Sequence, residues 1–221
     1  MPFLARRLGP ELPIEPMAPH GIGNGSIPKT IEAMARDRLR DIKAVQARGP
    51  YRLGGHCVGS VVAYEAARLL IAEGHEVELV VMIEPIWVVG NEALKMHPYS
   101  DDVSDNSVDR SAPPSGNAGA GSPDAPPAIP DLTATPQSLR SYRNALVRYS
   151  AKPITAPLLI FASKYDGRPW RSMSTDVELI ARAGGHYDWV TTRADSFVDQ
   201  LKGRLHVERS RPPTLALHKG L

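Results

Sequence analysis

The chain has 221 residues, 26 basic against 24 acidic side chains and one cysteine. That length suits one α/β domain with a real core and is short for two, and a formal net charge of +2 gives no bias toward nucleic acid or an anionic membrane. A lone cysteine excludes an internal disulfide. No apolar run approaches the roughly 18 residues that span a bilayer and no basic-then-apolar leader opens the chain, so a cytoplasmic protein is expected.

Residues 1 to 28 hold six prolines and read as connector, with a short helix over Phe3 to Leu8 and a strand around Ile14. His20-Gly21-Ile22-Gly23-Asn24-Gly25 has the composition of the His-Gly-rich loop that supplies oxyanion amides in some hydrolases. No apolar strand leads into it and Pro13, Pro16 and Pro19 crowd its approach, so a plain turn is expected. Thr30 can cap a helix whose apolar positions Ile31, Met34, Ala35, Leu39, Ile42 and Val45 recur at helical spacing. Arg36, Asp37, Arg40 and Lys43 form its solvated face, and Gly49-Pro50 ends it.

The next ten residues, Tyr51-Arg52-Leu53-Gly54-Gly55-His56-Cys57-Val58-Gly59-Ser60, pack a short strand, a sharp turn and a nucleophile together. Gly55, Cys57 and Gly59 form GxCxG, the elbow pattern in which a strained strand-to-helix turn lifts a nucleophile above a sheet. Glycine is expected on both sides because a side chain at either position would collide with the neighbouring strand or helix. Val61, Val62, Tyr64, Glu65, Ala66, Ala67, Leu69 and Leu70 read as a buried helix stopped by Gly74, and Val77 to Ile83 as a parallel strand covered on both faces. The bland alternative is that Cys57 is an inert buried thiol.

Glu84-Pro85 follows that strand at the carboxyl end of the sheet, where α/β proteins place active groups. From about Pro98 to Pro136 the composition turns to Ser, Asp, Asn, Gly, Ala and Pro, which predicts a mobile insertion. Gln137 to Ser150 then carries Leu139, Tyr142, Leu146 and Tyr149 on one helical stripe, with Arg140, Arg143 and Arg148 around it: a lid, or an ordinary surface helix. Pro157 to Ala162 is a buried strand ending near Asp166, and Val177 to Ala181 a shorter one followed by Gly184-Gly185-His186, a glycine pair that lets the imidazole return over the sheet. Phe197, Val198, Leu201 and Leu205 make a closing helix. Residues 1–205 read as a single domain with an insertion at about 98–150, and 206–221 as a tail. No repeat and no metal-ligand spacing is found.

Nucleophile, acid and histidine in the order Cys57, Glu84 or Asp166, then His186 is the order used on α/β-hydrolase sheets. A thiol with a free pKa of about 8.5 needs a nearby imidazole to take its proton. His186 would do so, a carboxylate would hold the imidazole's tautomer, and the Val58 amide would face the developing oxyanion. Both carboxylates stay open for that third role. His20, His75 and His97 read as surface groups.

From Pro50 to Pro85, PYRLGGHCVGSVVAYEAARLLIAEGHEVELVVMIEP, the chain resembles the thioesterase domains that end nonribosomal peptide and polyketide synthases, within the α/β-hydrolase superfamily. The resemblance extends upstream through residues 3 to 49 and downstream through TAPLLIFASKYDGRPW and GGHYDW. It implies a mostly parallel sheet with helices on both faces and a lid insertion. It places Cys57 at the nucleophile position, usually serine and sometimes cysteine, His186 at the catalytic histidine and Glu84 at an acid that is usually aspartate. Trp170 matches a frequent packing tryptophan. The implied partner is an acyl or peptidyl carrier protein presenting substrate on phosphopantetheine. No cofactor or metal of the domain's own is implied, and neither nucleic acid nor membrane is an implied partner.

Family members also begin with an apolar strand and a His-Gly-rich loop before the region matching Met1. That loop gives the second oxyanion amide and is missing here, which predicts an incomplete reading of a longer gene or a fragment of a larger synthase. Three other readings remain: another GxCxG hydrolase resembling dienelactone hydrolases or polyester synthases, a catalytically dead module that docks carriers through its lid with Arg140 and Arg143 facing acidic carrier helices, and a truncated product that does not fold. Acyl-chain identity, release nucleophile and oligomeric state are not legible in the sequence.

Overall fold

The computed structural model describes residues 2–10, 12–21, 26–86, 136–163 and 168–210. Asp166, His97 and most of the expected insertion lie outside them, as does the expected 206–221 tail from 211 onward, while residues 206–210 continue the last helix instead of a tail. The chain divides into two units, one drawn from 17–123 and 129–186 and the other from 1–16, 124–128 and 187–221.

In the first unit, helix α2 (Ile31–Val45) begins as its sequence predicts, with Thr30 Oγ1 accepting the Ala33 N–H at 3.1 Å. Ile31, Met34, Ala35, Leu39 and Ile42 are buried, whereas Val45, at the helix end, is 64% exposed despite lying on the same stripe. Strand β1 (Tyr51–His56) leads through Cys57 into helix α3 (Val58–Ala72). Gly74, at φ +83, ends that helix: the Gly74 N–H donates to Ile71 O and the His75 N–H to Leu70 O, both at 3.0 Å.

Strands β2 (Val77–Ile83), β3 (Leu158–Ala162) and β4 (Val177–Ala181) follow. The sheet runs β1-β2-β3-β4 with every neighbouring pair parallel. β2 is almost wholly buried and β3 wholly so, as their unbroken apolar runs require, while β4 is half-exposed. His56 pairs with Ile83, Ile83 with Phe161, and Phe161 with Ile180, so the four carboxyl ends finish level. α3 packs on β1 and β2, and α2 on α3.

Helix α4 (Pro136–Arg148) is the described part of the expected lid, and it is anchored. Ala145 and Leu146 are buried in the core, the Tyr142 hydroxyl donates to His20 O at 2.7 Å, and the Tyr149 hydroxyl donates to Glu65 Oε2 at 3.0 Å. Glu65 is itself buried in α3 and accepts from Arg68 Nε at 2.9 Å and Nη2 at 2.7 Å, so its charge is matched within one turn of helix. Trp170 packs edge-on against Tyr64 with ring centroids 5.0 Å apart, the packing role expected of it.

The second unit contains α1 (Pro2–Leu8) and α5 (Ala194–Ser210), in contact with each other, and a 3-10 turn over Asp188–Val190. Arg7 Nε donates to Asp195 Oδ1 at 2.5 Å, and Phe197, Val198, Leu201 and Leu205 are buried as their spacing predicts.

Three expectations fail. The strand expected around Ile14 is absent: residues 12–19 have no regular structure and Ile14 is 37% exposed, because an apolar residue between Pro13 and Pro16 has no run of backbone donors to pair. His20 is not a surface group. Its side chain is 8% exposed, with Nε2 3.1 Å from Asp37 Oδ2, and burial pushes its pKa below the ordinary value. His75 is half-buried, its ring edge-on to Tyr51 with centroids 5.6 Å apart.

Candidate active site

Level strand ends bring the residues that follow β1 and β2 to one edge of the sheet. Cys57 has φ 58 and ψ −125, a backbone conformation that costs a non-glycine residue roughly 1–3 kcal/mol. Its N–H donates to Ile83 O at 2.8 Å, which ties the strained turn to the end of β2. Glu84, the next residue along β2, is the other non-glycine residue with positive φ among those described, at φ 49. Its own N–H donates to Phe161 O at 2.7 Å, tying it to β3. Two strained residues thus stand at the carboxyl ends of adjacent strands, each fastened to the next strand over.

The turn depends on glycine differently from the sequence expectation. A Cβ on Gly55 would lie 2.2 Å from the Gly59 carbonyl carbon and oxygen and 2.6 Å from Ser60 N. A Cβ on Gly59 meets no described atom within 4 Å. Only Gly55 is therefore held to glycine by collision. The first turn of α3 lies so close to the end of β1 that no side chain fits at Gly55, whereas among the described residues nothing crowds Gly59.

Ser60 completes the turn, and the sequence reading missed it. Its fully buried hydroxyl donates to Gly55 O at 2.6 Å and accepts the Ile83 N–H at 3.0 Å. One side chain therefore joins the strand before the nucleophile to the strand before Glu84. A serine one turn into a helix that follows such an elbow was the available signal, because a buried hydroxyl requires partners.

Cys57 keeps 7% of its surface exposed and sits at the N-terminus of the 15-residue α3, where the positive end of the helix dipole favours a thiolate. Val58 is the first residue of α3, so its N–H lies at that same end. The Glu84 carboxylate is enclosed, with the residue 3% exposed, so a charge there has to be met by a specific group.

His186 follows β4, whose last sheet bond runs from the Arg182 N–H to Ala162 O at 3.0 Å. Its ring lies against that of His56, centroids 4.6 Å apart and planes tilted by 55°, and His56 Nε2 is 2.9 Å from the His186 carbonyl oxygen. His56 immediately precedes Cys57, so the fold brings a residue 130 positions downstream to the elbow. Burial pushes the His56 pKa below the ordinary histidine value, partly opposed by its bond to the His186 carbonyl. His56 is the second residue missed. Cys57, Val58, Glu84 and His186 lie on this edge of the sheet, and Asp166 lies outside the described residues. Among the described residues no group of three or more His, Cys, Asp or Glu could hold a metal ion, and no helix is long and apolar enough to cross a membrane.

The family model for the thioesterase domain matches residues 3–205. A non-reducing polyketide synthase of Pseudevernia furfuracea is 44% identical over 55 residues, 25% of this chain and 3% of that protein. A dimodular nonribosomal peptide synthase of Bacillus subtilis is 38% identical over 82 residues, 37% of this chain and again 3% of its own length. The aligned stretch thus spans a small fraction of these multidomain relatives. Among solved structures, the RedJ thioesterase from the prodiginine biosynthetic pathway in Streptomyces coelicolor superposes with a TM-score of 0.65 at 21% identity, covering 90% of this chain and 77% of that one. That likeness carries the fold: a mostly parallel sheet flanked by helices. With the family model matched over nearly the whole sequence, the chain belongs to the thioesterase domain family, whose relatives here are parts of polyketide and nonribosomal peptide synthases.

Proposed function

We propose that this domain cleaves or transfers an acyl or peptidyl group carried as a thioester on the phosphopantetheine arm of a carrier protein, through an acyl-enzyme on Cys57. The observation that carries the reading is the shared strain of Cys57 and Glu84 at adjacent strand ends, since such strain persists mainly where surrounding structure enforces it at functional sites. The contact of His186 with the residue preceding Cys57 supports the same reading.

In the proposed cycle the His186 imidazole takes the Cys57 thiol proton, and the thiolate attacks the substrate's thioester carbonyl. Negative charge builds on the carbonyl oxygen and is met by the Val58 N–H. As the tetrahedral species collapses, the carbon–sulfur bond to the carrier breaks and the departing pantetheine sulfur takes the proton from the His186 imidazolium. Water or an amine then attacks the Cys57 thioester, gives its proton to His186 and releases the product, restoring the thiol. Glu84 is assigned the carboxylate that orients His186 and stabilises its cation, the role for which Asp166 is the rival. The first acyl transfer runs between thioesters of similar energy, so the group stays activated on the enzyme until the release step. The carrier is the assigned partner, as expected of a domain whose relatives are built into synthases.

The test is incubation with an acyl-pantetheine or acyl-carrier thioester followed by intact-protein mass spectrometry. Wild type should gain the acyl mass on Cys57, and Cys57→Ala should gain none. Glu84→Gln should keep the adduct site but slow turnover on the order of 10²–10⁴-fold, the size of a lost acid–base contribution. Turnover by Cys57→Ala equal to wild type removes the proposal.

A further inference from the structure

The loop that carries His186 leaves the sheet at the end of β4. Arg182 to Gly185 are exposed, two of them glycines, and they leave a half-exposed strand. A catalytic histidine has to be held in place, because a misplacement of about 1 Å costs on the order of 10²-fold in rate. The elbow, in contrast, is among the most constrained pieces of backbone described: Gly55 is jammed against α3, Ser60 bridges two strands, and Cys57 is bonded to β2. His56 lies between Gly55 and Cys57 and reaches across to His186.

We propose that His56 is a positioning residue for His186: it donates its Nε2–H to the His186 carbonyl and sets its ring against the His186 imidazole, tying that loop to the elbow. The inference rests on the reading of His186 as the base for Cys57. The geometry specifies the tautomer, because a ring nitrogen 2.9 Å from a carbonyl oxygen must carry the hydrogen. Burial lowers the His56 pKa and so favours its neutral ring, which adds less positive charge beside the imidazole that must itself become charged. His56 touches no reacting atom in this account. It acts through His186 alone.

The test follows the alkylation rate of Cys57 by iodoacetamide from pH 5 to 9, together with kcat and KM on an acyl-pantetheine, in wild type, His186→Ala, His56→Phe and His56→Gln. Phenylalanine keeps a ring without the N–H, and glutamine keeps an N–H able to reach the same carbonyl. In wild type, alkylation at pH 6.5 should exceed that of His186→Ala, because the imidazole makes thiolate available below its free pKa of about 8.5. His56→Phe should lose about tenfold in both alkylation at pH 6.5 and kcat with KM little changed, equivalent to one unit of thiol pKa. His56→Gln should stay within about threefold of wild type. If His56→Phe fails to fold, His56→Met, also lacking the N–H, takes its place. Identical profiles for wild type and His186→Ala would overturn the Cys57–His186 assignment itself. A profile that depends on His186 but is unmoved by His56→Phe would overturn only this inference, as would equal losses in His56→Phe and His56→Gln with matching falls in melting temperature, which mark packing alone.

Discussion

Alanine at the two elbow glycines gives opposite outcomes. A Cβ on Gly55 stands 2.2 Å from the Gly59 backbone, while ordinary contact begins near 3.4 Å, so β1 and the first turn of α3 must separate by 1.2 Å, the difference between the two. That separation breaks the 2.6 Å bond from Ser60 Oγ to Gly55 O. Overpacking costs about 1–3 kcal/mol, and leaving a buried polar group unsatisfied about 1–3 more. The sum is on the order of 4 kcal/mol, and at roughly 2–4 °C per kcal/mol for a chain of this size the melting temperature should fall by about 10 °C. Gly59→Ala meets no described atom within 4 Å beyond its own helix backbone, has no left-handed φ to strain, and lies in the first turn of a helix. Alanine gains up to about 1 kcal/mol over glycine in a helix interior and less at an end, so its melting temperature should hold or rise slightly. Thermal denaturation of the purified variants reads both values, and Cys57 alkylation reports whether the elbow has moved. Equal falls in the two variants would refute the reasoning, because the collision would then not be what reserves Gly55 for glycine.

Ser60→Ala removes the hydroxyl that accepts the Ile83 N–H and donates to Gly55 O. It should lower the denaturation midpoint by the equivalent of about 1–3 kcal/mol and slow thioester turnover more than any volume-matched change on the far side of α3. An unchanged kcat would show that the elbow holds its shape without that bridge. Acid should destabilise the domain through His20 and His56, whose pKa values burial depresses in the folded state. The unfolded chain then binds more protons than the folded one, so their contribution is fully present above about pH 6.5 and is lost as pH falls through the lowered values. Urea midpoints at pH 7.5 and 5.5 should differ less in the His20→Gln, His56→Gln double variant than in wild type, and an unchanged difference would count against both histidines.

The elements legible in the sequence are those whose pattern is local. Val77–Ile83 and Val177–Ala181 were readable to the residue because an apolar run between turn signals has one sensible register, and α2 because Thr30 and a 3.6-residue stripe agree. Val45 and Ile14 went the other way for a single reason: apolarity says that a residue can be buried, and only the three-dimensional outline says whether core is there to bury it. The polar pairings were illegible for lack of locality. Asp37 lies 17 residues beyond His20, Tyr149 lies 84 beyond Glu65, and His186 lies 130 beyond His56.

The candidate site shows the same division more sharply. GxCxG marks the position of the elbow, because glycine is the sequence's usual sign of a backbone that others cannot adopt. Yet the glycine at 59 fills no tight space, and the strain falls on Cys57 and Glu84, residues with nothing in their chemistry to advertise a positive φ. Their conformation is imposed from outside: the amide of each is bonded to the strand next door, and Ser60 binds the strand between them. A carboxylate in that position therefore depends on β2 and β3 holding their register as much as on its own identity. Replacing Glu84 by aspartate tests this without disturbing the backbone bonds. If register does the positioning, the shorter side chain should lower kcat by less than Glu84→Gln does, because the charge is kept and only its reach is reduced.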